Sequence, residues 1–67
     1  EIFKPDLNKN VLNIQGCSSS LETKKTKDSS KVNLIANVIK PGYRLQTKEN
    51  EFIFLKNAEV QIYELEN

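Results

Sequence analysis

Apolar and polar positions alternate most regularly between Val32 and Leu65, and that stretch predicts the strands around which the chain is organised. Val32, Leu34, Ala36 and Val38 fall on one side of an extended chain, with Asn33, Ile35, Asn37 and Ile39 on the other. A two-residue period belongs to a strand, and isoleucine on an asparagine-rich second face predicts partial cover there, as at a subunit contact. Lys40-Pro41-Gly42 ends the run, Pro41 suiting the second position of a type II turn and Gly42 its positive-φ third. Alternation resumes with Tyr43, Leu45 and Thr47 against Arg44 and Gln46, and Lys48-Glu49-Asn50-Glu51 follows as a polar turn. Phe52-Ile53-Phe54-Leu55 is then continuously apolar and aromatic, the composition of a strand buried on both faces or pressed hard against a partner strand, and the expected centre of the core.

After Lys56-Asn57, residues Ala58, Val60 and Ile62 share a strand face against Glu59, Gln61 and Tyr63. Leu55, Ala58, Ile62 and Leu65 also lie at helical spacing, with Asn57 placed as an N-cap. The β-branched Val60 and Ile62 and the aromatic Tyr63 favour the strand.

Patterning is weaker before Val32. Residues 1–10 read as an extended arm: Ile2 and Phe3 are adjacent apolar residues, and Pro5 turns Lys4 away from helix. Val11 to Gln15 is a short strand candidate closed by Gly16. Residues 18–31 are rich in Ser, Thr and Lys, with Leu21 as the one large apolar residue, and read as a flexible polar loop. The fold expected is all-β: a small antiparallel sheet, sandwich or partial barrel of four to five short strands with one long polar loop. The arm at 1–10 precedes a single small domain at 11–67.

Composition sharpens this picture. At 67 residues, 37% of them hydrophobic, and with a mean hydropathy of −0.56, the chain has thin material for a self-sufficient core. Small domains are usually held by disulfides, a structural metal or association. One cysteine and no histidine exclude an internal disulfide and an ordinary zinc site. Association is what remains. The chain starts at Glu1 and contains no Met, as expected of a processed product or a piece of something longer.

Net charge is +1, but it is unevenly spread: residues 1–48 carry nine Lys or Arg and four acids, residues 49–67 five acids and Lys56 alone. Opposite-signed halves can pair within one fold or join subunits head to tail. No apolar run approaches the roughly 18 residues of a membrane-spanning helix, and no signal peptide is visible. Compartment stays open.

Candidate chemistry is sparse. Ile14-Gln15-Gly16-Cys17 has the outline of a bacterial lipobox, without the apolar stretch that must precede one. A reactive thiol needs a base or cation beside it, so Cys17 reads as structural. Glu49 with Glu51, and Glu64 with Glu66, sit in a turn and near the chain end, where solvation leaves carboxylates ordinary. No catalytic, metal-ligating or cofactor-binding residue is expected.

Lys24, Lys25 and Lys27, near Lys31, form a basic loop able to follow a phosphate backbone. Phe52 and Phe54 share a strand face, as do Arg44 and Gln46 on the strand before. Val32-Asn33-Leu34-Ile35-Ala36, then Thr47-Lys48 and Phe52, is loosely similar to the opening strands of an OB-fold. That similarity implies nucleic-acid binding through aromatics and basic groups, here Lys24, Lys25, Lys27, Arg44 and Lys48. Pro41-Gly42 followed by Glu51-Phe52-Ile53-Phe54 is loosely similar to the first half of a cupin, whose metal-binding histidines this chain lacks.

The leading expectation is a non-catalytic binding or assembly module with a protein partner or a second copy of itself. Exposed strand edges and the Phe52–Leu55 region would make the contact. Phe52, Phe54, Val60 and Ile62 are expected to bury, with Ile35, Ile39, Tyr43, Phe52 and Phe54 as contact residues. An OB-like nucleic-acid-binding domain is the alternative.

Overall fold

The structure, a computed structural model, describes residues 1–66; Asn67, the far limit of the expected domain, lies outside them. The chain is all-β, with no α-helix among the described residues. Its strands are β1 (Ile2–Phe3), β2 (Cys17–Ser19), β3 (Lys24–Thr26), β4 (Ile35–Lys40), β5 (Gly42–Lys48), β6 (Glu51–Lys56) and β7 (Ala58–Leu65). Seven strands stand where four to five were expected.

The pairing of β4 with β7 and of β5 with β6 makes one long antiparallel ribbon. Its register runs from Ile35↔Ile62 and Val38↔Val60 through Tyr43↔Lys56 and Leu45↔Ile53 to Lys48↔Glu51. Asn50, at φ 64°, takes the left-handed conformation that closes the hairpin end. The ribbon breaks once, at Pro41 and Asn57. Proline has no N–H to give a ladder, which ends the β4 pairing there. Gly42 does not make the expected type II turn: its φ is not positive, and the chain passes from β4 into β5 without reversing. What Gly42 supplies is closeness, since a Cβ there would overlap the Lys56 carbonyl oxygen and the Ala58 nitrogen.

This corner divides the ribbon into a base (β4 and β7) and a tip (β5 and β6). In the tip, the arm adds β1 antiparallel to β5, giving a sheet ordered β1-β5-β6. In the base, β7 is central: β4 lies on one side, while β2 and β3 pair parallel with its first and last thirds, Cys17↔Ala58 to Ser19↔Val60 and Lys24↔Tyr63 to Thr26↔Leu65. The expected flexible loop at 18–31 thus contributes two strands, and the expected antiparallel sheet is mixed. The two sheets do not close into a barrel.

The molecule is long, 43 × 19 × 13 Å, with a radius of gyration of 12.7 Å against about 11 Å for a compact chain of this length. Its core is correspondingly small: among the described residues Ile35, Ala36, Ala58 and Val60, all in the base, are the buried hydrophobic side chains, and the ring of Pro5 in the arm is buried apart from them. Two bulges in β4, at Ala36 and Ile39, disturb the alternation. The extra residue lets Ile35 and Val38, three apart, face Ile62 and Val60 on the same side. The expected core face of Val32, Leu34, Ala36 and Val38 is therefore replaced by one centred on Ile35. Residues 11–15 are likewise not a strand. The Asn10 side chain accepts the Leu12 N–H at 2.9 Å and caps a 3₁₀ turn at Val11–Asn13.

Candidate functional site

Strand alternation gives the tip sheet two unlike faces. On the outer face Ile2 stands opposite Tyr43 and Leu45 opposite Ile53, with Leu55 beside them in a bulge of β6. These five side chains are between 48% and 69% exposed. Half-exposed side chains of this size each show on the order of 100 Å², so the face presents on the order of 500 Å², near the top of the range for the largest patch on a monomer.

The inner face is filled by the chain's own residues. The Phe3 and Phe54 rings meet edge to face at 5.3 Å, and Gly16, at φ 81°, lies so close that a Cβ would overlap the Phe54 ring. The Arg44 guanidinium stacks over Phe52 at 4.0 Å and Phe3 at 4.8 Å, a favourable meeting of cation and ring face. Its Nε donates to the Glu1 carboxylate at 2.5 Å, and the Glu1 ammonium donates to the Arg44 carbonyl at 2.6 Å. Beside this lies an open groove of about 790 Å³ lined by residues 2–6 of the arm, Ile2 among them, with Lys9, Ile14 and Arg44; Asp6 opposes the charge of its three basic residues.

The expected contact residues are redistributed. Ile35 is 0% exposed and cannot be a contact residue; the bulge at Ala36 turns it onto Ile62, opposite to the expectation. Phe52 and Phe54 are half-buried on the inner face, so they line the filled side, not the open one. Ile39 and Tyr43 are exposed, with Tyr43 on the outer face and Ile39 in the base near the corner. Of the outer-face residues, Ile2 and Leu45 were passed over, and Ile53 and Leu55 entered only as part of the expected Phe52–Leu55 contact region. Leu45 already shared a strand face with Tyr43 and Thr47, whereas the unbroken apolar run at 52–55 carries no alternation to say which side stays open. In the fold β6 is an edge strand, and the odd-numbered residues look outward.

The basic residues do not gather. Lys24 and Lys25 lie in β3 at the far end of the base, where Lys24 and Lys31 flank the Tyr63 ring at 5.9 and 5.8 Å. Lys25 is 3.0 Å from Glu64. Lys27 follows β3, Arg44 is held in the tip, and Lys48 stands at the hairpin end. Thr23 donates to Glu64 at 2.5 Å, and that bond first, then Lys25, holds the Glu64 carboxyl below its ordinary range. Burial pushes the Cys17 thiol up, away from the thiolate that nucleophilic chemistry requires. Among the described residues no cluster of three or more His, Cys, Asp or Glu side chains is placed to hold a metal, and no helix is long and apolar enough to cross a membrane.

Fold and surface define a small all-β domain with a bent ribbon and one open apolar face. Compared with known protein families, characterised proteins and solved structures, the chain has no match.

Proposed function

We propose that this chain is a non-catalytic assembly module that docks on protein through the outer face of its tip sheet and the free edge of β6. The observation that carries the reading is the imbalance in the tip: Ile2, Tyr43, Leu45, Ile53 and Leu55 are largely exposed together, while the buried core residues Ile35, Ala36, Ala58 and Val60 belong to the base. Exposed apolar side chains scattered singly are normal, but a contiguous set on one flat face marks a contact surface. β6 adds to it, since it pairs with β5 on one side and with no other strand among the described residues. Its sequence from Phe52 to Leu55 holds no proline and no charge to discourage pairing.

The OB-like reading draws on the lysines around Tyr63, but its other basic residues, Arg44 and Lys48, stand on the tip. An oligonucleotide affinity that falls steeply with salt would favour it. The docking reading is tested with a photoreactive phenylalanine analogue at Leu45 in the cell that makes the protein. Irradiation is expected to give protein adducts from position 45 and none from position 12, where Leu12 is exposed in the 3₁₀ turn, outside the strands of the tip sheet. No adduct from position 45 removes the reading.

A further inference from the structure

We infer that the occupant of the outer tip face is a second copy of this chain, packed face to face and head to tail. The inference rests on the docking reading above and names its partner.

Area is the first argument. The five apolar side chains offer on the order of 500 Å² on one copy, and the same face on a second copy brings the total to about 1,000 Å², the lower bound for a specific interface. Nothing in the described part of the chain competes for this face, because the arm and Gly16 are already spent on the inner side against Phe54. Shape is the second argument. Two flat sheets pack with their strands nearly aligned and their side chains interdigitating, and a face whose centre is the Leu45–Ile53 pair is self-complementary about a two-fold axis through that pair.

Charge selects the orientation. β6 carries Glu51 at its hairpin end and Lys56 at its corner end, with the apolar residues between them. Glu51 pairs with Lys48, and Lys56 with Tyr43. A two-fold axis perpendicular to the strands places the hairpin end of one copy over the corner end of the other, bringing each Glu51 toward the partner's Lys56. Rotation about an axis along the strands would instead lay β6 over the partner's β5 and set Glu51 against a Lys48 that already faces a Glu51 in its own chain, leaving Lys56 beside Tyr43 with no opposite charge.

Sedimentation equilibrium of the purified chain tests this. The wild type is expected to dimerise at micromolar concentration, and Ile53→Lys to weaken the dimer at least about tenfold, since a charge would enter an apolar contact. Leu45→Lys is the second probe should Ile53→Lys fail to fold by circular dichroism, and Leu12→Lys is expected to leave the dimer unchanged. Glu51→Lys and Lys56→Glu are each expected to weaken it about two- to fivefold, and the double exchange to restore it. A chain that stays monomeric at roughly 100 μM overturns the second copy as partner. If position 45 still gives photo-adducts in that case, the docking reading survives; if it gives none, both fall. A dimer indifferent to Ile53→Lys and Leu45→Lys places the contact elsewhere and overturns the inference, and a double exchange that fails to recover overturns the head-to-tail orientation.

Discussion

Val60 in the base and Ile53 in the tip are both β-branched residues inside strands of one ribbon, yet Val60 is 0% and Ile53 52% exposed. Local composition points the other way: Phe52–Leu55 is an unbroken apolar run, whereas Val60 has Glu59 and Gln61 as neighbours. The difference lies in what surrounds each strand. At Val60, β7 has β4 on one side and β2 on the other, while β6, among the described residues, has β5 alone beside it and an exposed outer face. Burial is decided by neighbours brought from elsewhere in the chain, and apolar residues left without them stay exposed.

That contrast can be broken most forcefully in the base. Ile35→Ala empties a fully buried site and is expected to cost about 2–5 kcal/mol, a large part of the stability of so small a domain. Ile53→Ala, measured on the same chain below the concentration at which it associates, is expected to cost less than about 1 kcal/mol. Equal losses in urea denaturation would show that the two halves do not differ as described. At the corner, Gly42→Ala forces a methyl group against the Lys56 carbonyl and the Ala58 nitrogen, with an expected loss of about 1–3 kcal/mol. Amide exchange in both halves should quicken in this variant, since both start there.

The smallest effect is local and depends on pH. The Glu64 carboxyl is held below its ordinary value of 4.5, first by the Thr23 hydroxyl and then by Lys25. A depressed carboxylate stabilises the fold above its unfolded pKa, and that contribution is lost as pH falls through the lower, folded one. Below about pH 4.5, the Glu66 N–H, which donates to the Thr26 carbonyl, is expected to exchange more rapidly relative to Val60. Glu64→Gln should remove the pH dependence of that ratio, and a wild-type ratio flat with pH would exclude the mechanism.

Much of the ribbon was legible in the residues, because β5, β6 and β7 carry period-two alternation or β-branched and aromatic side chains, and Asn50 can adopt positive φ. Residues 58–65 form a strand despite their helical spacing, and β4 supplies the pairing partner that such a strand needs. The β4 bulges were not legible. A bulge shifts which side chains face inward without changing which residues are apolar, so the alternation alone puts Ile35 on the contact face. β2 and β3 were hidden for another reason: Cys17-Ser18-Ser19 and Lys24-Lys25-Thr26 join the sheet through backbone pairing with β7, and their mostly polar side chains leave no apolar pattern. The tip face was half legible. Its strands were clear, but which side of β6 stayed open depended on the arm and Gly16 reaching the other side.

The serial pairing of β2 and β3 along β7 bears on how the polypeptide reaches this state. Cys17–Ser19 and Lys24–Thr26 find their partners about forty residues downstream, and the arm waits similarly for Gly42 and Tyr43. Such distant matches are slow to form compared with a local hairpin. During synthesis the earlier residues leave the ribosome with no ladder to join, the ribbon from Ile35 to Leu65 can close first about Asn50, and only then does a template exist onto which everything made before it can settle.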